Sequence, residues 1–184
     1  MSDFERDKWN ARYLSGNVLT EPSAFLVDML QFVPRRGKAL DVAGGAGRNA
    51  ILLARRGLDT TIVDISEVGL QRAVEDGKRA GVHLTTVEAD LETDPLPEGP
   101  WDCVVVFHYL NRLLLASLET ILAPGGVLVV SIATTRNRER NEKPPPPHLL
   151  DEGELPSLIG DLGVVHYEEG WRDDRHEARL VARR

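Results

Sequence analysis

Three glycines in four positions, preceded by a carboxylate, form the stretch Asp41-Val42-Ala43-Gly44-Gly45-Ala46-Gly47. Glycine turns the chain sharply and leaves no side chain to hold a ligand off the backbone. A helix that starts here presents unpaired N–H groups and a partial positive charge to an anionic group. The plainer reading is a tight strand-to-helix turn with no ligand. The run Gly45-x-Gly47-x-x-Ala50 also satisfies the dinucleotide fingerprint, so the glycines alone do not choose between ligands. Asp64, expected at the end of the next strand, suits two ribose hydroxyls and repels a 2′-phosphate. Asp41 opposes a pyrophosphate but suits a ligand that carries an amino group and a sulfonium. A second group is Phe107-His108-Tyr109-x-Asn111. His108 is a general-base candidate and Tyr109 an orienting group, unless His108 merely fixes a turn. Trp9, Arg12 and Tyr13 share one helix face, as packing or as a cover.

Positioning these groups requires alternating strands and helices. Residues 38–43, 60–63, 82–87 and 102–107 read as strands, the last with a Val104-Val105-Val106 run suited to burial on both faces. Helices are expected over 47–56, over 66–80 with Ser66 as cap, and over 111–122, where Pro124-Gly125-Gly126 ends the run and launches a strand over 127–132. This alternation predicts an α/β fold, a doubly wound and mostly parallel sheet with right-handed crossovers. After a helix pattern over 151–159, strands over 163–167 and 176–182 are separated by too short a link for a crossover, so they predict a closing antiparallel hairpin and a seven-stranded sheet. Residues 3–33 read as two helices of an N-terminal cap spanning 1–36. Residues 134–148 end in Pro144-Pro145-Pro146-Pro147 and read as an extended, partly mobile loop. Its Arg136, Arg138, Arg140 and Lys143 either contact an anionic substrate or form a solvated face.

The chain has 184 residues, which predicts one domain over 1–184. With 22 basic and 29 acidic residues its net charge is −7, which argues against a broad nucleic-acid face. The single cysteine, Cys103, sits in an apolar strand as inert core and excludes an internal disulfide. No metal site is expected, because His83, His148, His166 and His176 lack ligand spacing. The charged opening and the lack of an apolar run of about 18 residues predict a cytoplasmic protein, monomer or homodimer, without a membrane partner.

Taken in order, Asp41-x-Ala43-x-Gly45-x-Gly47, Val63-Asp64-Ile65-Ser66, Ala89-Asp90-Leu91, Trp101-Asp102-Cys103-Val104-Val105 and Leu122-Ala123-Pro124-Gly125-Gly126 resemble the class I S-adenosylmethionine (SAM)-dependent methyltransferases. The opening Trp9-Asn10-x-Arg12-Tyr13 and Glu21-Pro22-Ser23-x-Phe25-Leu26 resemble the small stand-alone bacterial branch akin to tellurite-resistance and thiopurine methyltransferases. Ala43 stands where many members have glycine. The resemblance implies a Rossmann-like methyltransferase fold and SAM as cofactor. It implies that Ala43, Gly44, Gly45 and Gly47 border the methionine part, with Asp41 on the amino group and Asp64 on both ribose hydroxyls. Asp90 and the Leu91 N–H would meet the adenine, which Ile65 and Leu91 sandwich; Phe107 would line the pocket. Trp9, Arg12 and Tyr13 would cover SAM, with Arg12 on its carboxylate. His108 and Tyr109 would face the transferred methyl group. The Asp/Asn-Pro-Pro-aromatic motif of adenine-type amino-methyltransferases is absent, which points to another acceptor, a small molecule attacked in line. The rival expectations are a non-catalytic SAM-binding protein that docks through its proline loop, and an NAD-dependent oxidoreductase using Gly45, Gly47 and Ala50.

Overall fold

The computed structural model describes residues 2–16 and 18–184; Met1 and Asn17, both within the expected cap, lie outside the described residues. Seven strands form one sheet: β1 (Lys38–Val42), β2 (Asp59–Asp64), β3 (Leu84–Glu88), β4 (Trp101–Phe107), β5 (Leu122–Ala133), β6 (Gly163–Arg172) and β7 (Arg175–Arg183). Their order is β3-β2-β1-β4-β5-β7-β6. The first five pair in parallel, and β7 runs antiparallel to both β5 and β6. The expected doubly wound sheet with a closing hairpin is therefore present.

Alternation along each strand divides the core into two layers. Leu40, Val42, Val104, Val106, Leu128 and Leu180 face α5 (Arg112–Ile121), which buries Leu114, Leu115 and Leu118. Ala39, Cys103, Val105, Val129 and Val181 face the other way, onto Phe25 and Leu26 of α2 (Ala24–Asp28) and Leu53 of α3 (Arg48–Arg55). The all-valine run of β4 is explained by this double coverage. Burial pushes the Cys103 thiol up to about 12, as befits core.

Helix α4 (Glu67–Arg79) begins where Ser66 accepts from the Gly69 N–H at 3.0 Å. The Ser66 hydroxyl also donates to Asn10 Oδ1, at 2.6 Å, and so ties α1 (Ser2–Leu14) to the start of α4. Asn10 Oδ1 also accepts from the Val68 N–H at 3.4 Å, and Arg6 faces Glu88 at 3.5 Å. Ser66→Ala should lower stability by about 1 kcal/mol, the worth of an N-cap, in chemical denaturation; an unchanged midpoint would argue against the cap.

Three expectations are corrected. The helix pattern over 151–159 condenses to a 3₁₀ turn at Leu155–Leu158, because Pro156 lacks a donor and Gly153 and Gly160 both take positive φ. The hairpin strands are longer than expected: residues 168–172 continue β6, leaving a turn at Asp173-Asp174. Residues 134–148 do not run extended but coil into 3₁₀ turns at Thr135–Glu139 and Pro146–His148. Buried Asn137 fastens them, donating to the Lys143 carbonyl at 3.0 Å and accepting from the His176 N–H at 3.2 Å.

Candidate active site

The carboxyl ends of β1, β2 and β4 meet where the strand order reverses, the place at which such sheets open a crevice. The glycine loop rises from β1 into α3, and geometry requires all three of its glycines: a Cβ at Gly44 would lie 2.7 Å from Asp41 Cγ and from Ile62 Cγ2. Gly45 has φ +55°, and a Cβ there would overlap the Tyr13 hydroxyl. Gly47 has φ +77°, and its Cβ would press on the Ala73 methyl at 2.8 Å. The backbone at Ala43 and Gly44 is half-buried beside them.

Beneath this loop Asp41 is buried, and its Oδ2 has no hydrogen-bond partner among the described residues. Burial pushes its carboxyl up to about 7, against the pull of the Arg48 guanidinium. Asp64, also buried, accepts from the Gly45 N–H at 2.8 Å and the Ser66 N–H at 2.9 Å. Burial raises its pKa while those N–H groups oppose the rise. Ile65 follows it, half-buried. Asp90 accepts from the Glu92 N–H at 3.1 Å, and buried Leu91 accepts the Asn111 amide at 3.3 Å through its carbonyl. These residues lie along the carboxyl ends of β1, β2 and β3.

Helix α1 covers this row. Tyr13 lies over Gly45 and Gly69, stacked on Trp9 with ring centroids 6.2 Å apart. The Arg12 guanidinium sits 5.1 Å from the Trp9 ring centre and makes no ion pair among the described residues. The expected shared face is therefore present. Burial first and the nearby Asp64 second raise the Tyr13 pKa, keeping the phenol protonated.

Beyond β4 the two catalytic candidates diverge. Buried Phe107 is followed by His108, whose φ of +59° turns the chain. His108 Nε2 meets Arg48 Nη2 at 3.1 Å, and its Nδ1 lies 3.4 Å from Glu177 Oε1. Glu177 Oε2 accepts from the Ser131 hydroxyl at 2.9 Å and from Arg179 Nε at 3.3 Å. Tyr109 instead donates to Glu92 at 3.0 Å, on the Asp90 side of the crevice. Arg48, Ser131, Glu177 and Arg179 were not expected from sequence. A cation at the first position of α3, opposing the helix dipole, was one available signal; charges inside an otherwise apolar strand were the other.

Residues 39–126 match the family model described as a methyltransferase domain. Over that stretch, just under half of its length, the chain is similar to methyltransferase domains. It is 33% identical over 125 residues to the demethylmenaquinone methyltransferase of Thermus thermophilus, covering 64% of this chain and 51% of that protein. The chain thus spans about half the length of the curated relatives it matches. Among solved structures, TehB from Haemophilus influenzae superposes with a TM-score of 0.75 at 20% identity, over 97% of this chain and 66% of that one. The magnesium protoporphyrin IX methyltransferase of Synechocystis, with bound S-adenosylhomocysteine, gives 0.70 at 17% identity over 100% and 99%. The chain thus shares the fold of both across nearly its whole length. No helix among its described residues is long and apolar enough to cross a membrane.

Proposed function

We propose that this chain transfers the methyl group of SAM to a small-molecule acceptor, as one catalytic unit over residues 1–184. One observation carries the reading: an orphaned, buried carboxylate oxygen on Asp41 lies beneath a loop whose backbone is bare at Gly45. Such a site fits the ammonium and sulfonium of SAM and opposes the pyrophosphate of NAD. Asp64 keeps unused lone pairs for ribose hydroxyls, because each of its oxygens takes only one N–H. Asp90 and Leu91 would serve the adenine, and Ile65 and Phe107 would line its pocket. Tyr13 and Trp9 would cover the cofactor, with Arg12 on its carboxylate.

When bound, SAM supplies a methyl group on an already activated sulfur. The protein then has to position the acceptor, exclude water and remove a proton. His108 is the base this geometry offers, with Glu177 behind it. Tyr109 shapes the acceptor side through Glu92. The net charge of −7 supports an acceptor other than nucleic acid, and the proposal extends to a cytoplasmic setting, as monomer or homodimer.

Calorimetry should show S-adenosylhomocysteine binding and no binding of NAD; the reverse preference ends this reading. Asp64→Ala should weaken S-adenosylhomocysteine by about 1–3 kcal/mol, the cost of leaving hydroxyls unpaired. Unchanged affinity would remove Asp64 from the ribose.

A further inference from the structure

Arg48 opens α3 directly after Gly47, a position where the helix dipole disfavours a cation. It is half-buried, yet both of its side-chain bonds go to neutral acceptors: the Glu21 carbonyl at 3.1 Å and His108 Nε2 at 3.1 Å. A guanidinium only donates, so Nε2 holds a lone pair and the ring proton sits on Nδ1, toward Glu177. The charged groups that face His108 are Glu177, Arg175, Arg48 and Arg12. Arg175 and Arg12 make no ion pair among the described residues. Glu177, the one carboxylate of the four, already serves Ser131 and Arg179 through its other oxygen. Burial first, and the three arginines against Glu177, hold His108 below the ordinary histidine range. Arg48 therefore spends no hydrogen bond on an anion, although Asp41 and Glu177 attract it through space, and it covers the lone pair of the base.

Resting on the methyltransferase reading, we infer that Arg48 and His108 form the seat of an acceptor bearing a carboxylate, which draws Arg48 off His108 and so frees Nε2 for the proton of the attacking hydroxyl or amine. A planar carboxylate matches the guanidinium fork, and the charge-assisted pair is stronger than the bond to imidazole. Arg175 adds a second cation on the β7 side. In the reaction the oxygen or nitrogen lone pair forms the bond to the methyl carbon, and the electron pair of the broken carbon–sulfur bond stays on sulfur, which becomes neutral. The released proton ends on Nε2, giving an imidazolium whose Nδ1–H faces Glu177.

The test follows the His108 ring nitrogens by NMR in the S-adenosylhomocysteine complex, with benzoate and benzamide as isosteric probes. Benzoate should raise the His108 titration midpoint and bind about tenfold more tightly than benzamide. Arg48→Gln should abolish both differences. A His108 that ignores benzoate in a complex that does bind S-adenosylhomocysteine overturns this inference alone. A rise caused by S-adenosylhomocysteine itself, with nothing added by benzoate, assigns Arg48 to the cofactor carboxylate and also overturns it. Failure of S-adenosylhomocysteine to bind overturns the methyltransferase reading first.

Discussion

Gly45→Val should reduce S-adenosylhomocysteine affinity by more than about a hundredfold and lower the melting temperature. Two separate effects add. The φ of +55° is strained for any L side chain by roughly 1–3 kcal/mol. The new Cβ also overlaps the Tyr13 hydroxyl, so Tyr13, and with it the cover that α1 lays on the glycine loop, must shift. Gly81 supplies the control: its φ is +73° and a Cβ there meets nothing within 4 Å. Gly81→Val should lose stability and keep its affinity. Calorimetry beside thermal unfolding reads both variants, and equal affinity in the two would remove the glycine loop from the binding site.

The second large effect is a pH dependence with opposite signs for folding and for binding. Asp41 holds its proton up to about 7 in the folded chain, against 3.8 when unfolded. The folded state therefore binds the extra proton between those values, and stability is fully present below pH 3.8 and falls as pH rises toward 7. At 1.36 kcal/mol per pH unit the loss is about 4 kcal/mol. Asp41→Asn should flatten that decline in denaturation curves recorded from pH 4 to 8. Binding a ligand ammonium requires the carboxylate, so affinity for S-adenosylhomocysteine should climb about tenfold per pH unit up to 7 and then level off. Calorimetry in buffers of different ionisation enthalpy should register one proton released per ligand below that plateau. A flat affinity profile would detach Asp41 from the amino group.

Local chemistry made half of this site readable in advance. Asp41, Asp64 and Asp90 sit at or just after the ends of strands whose apolar runs are evident, and Gly45 and Gly47 in the turn after β1, so their place at the carboxyl edge of the sheet follows from the alternation of elements. Trp9, Arg12 and Tyr13 were equally legible, because helical spacing alone puts them on one face. Glu177 was not. It reaches His108 only through the antiparallel register that sets Ser131 opposite Arg179 and Ala133 opposite Glu177, a pairing across 46 residues between Ser131 and Glu177. Nothing in the local pattern of β7 fixes that register. The end of β6 was obscured for a related reason: Glu168, Glu169 and Arg172 look like loop residues, yet the outermost strand of a sheet carries such charges without loss. The helix expected over 151–159 failed because three apolar residues at helical spacing outweighed Pro156, Gly153 and Gly160 in the reading, and the backbone obeys the latter.

Because α1 rests on the rest of the chain through Asn10, Arg6 and the Tyr13 ring, and contributes no strand to the sheet, it can peel away without disturbing either hydrophobic layer. If the proposed cofactor site is right, lifting this one surface helix would open it, and exchange of spent nucleoside would be governed by α1 rather than by the sheet.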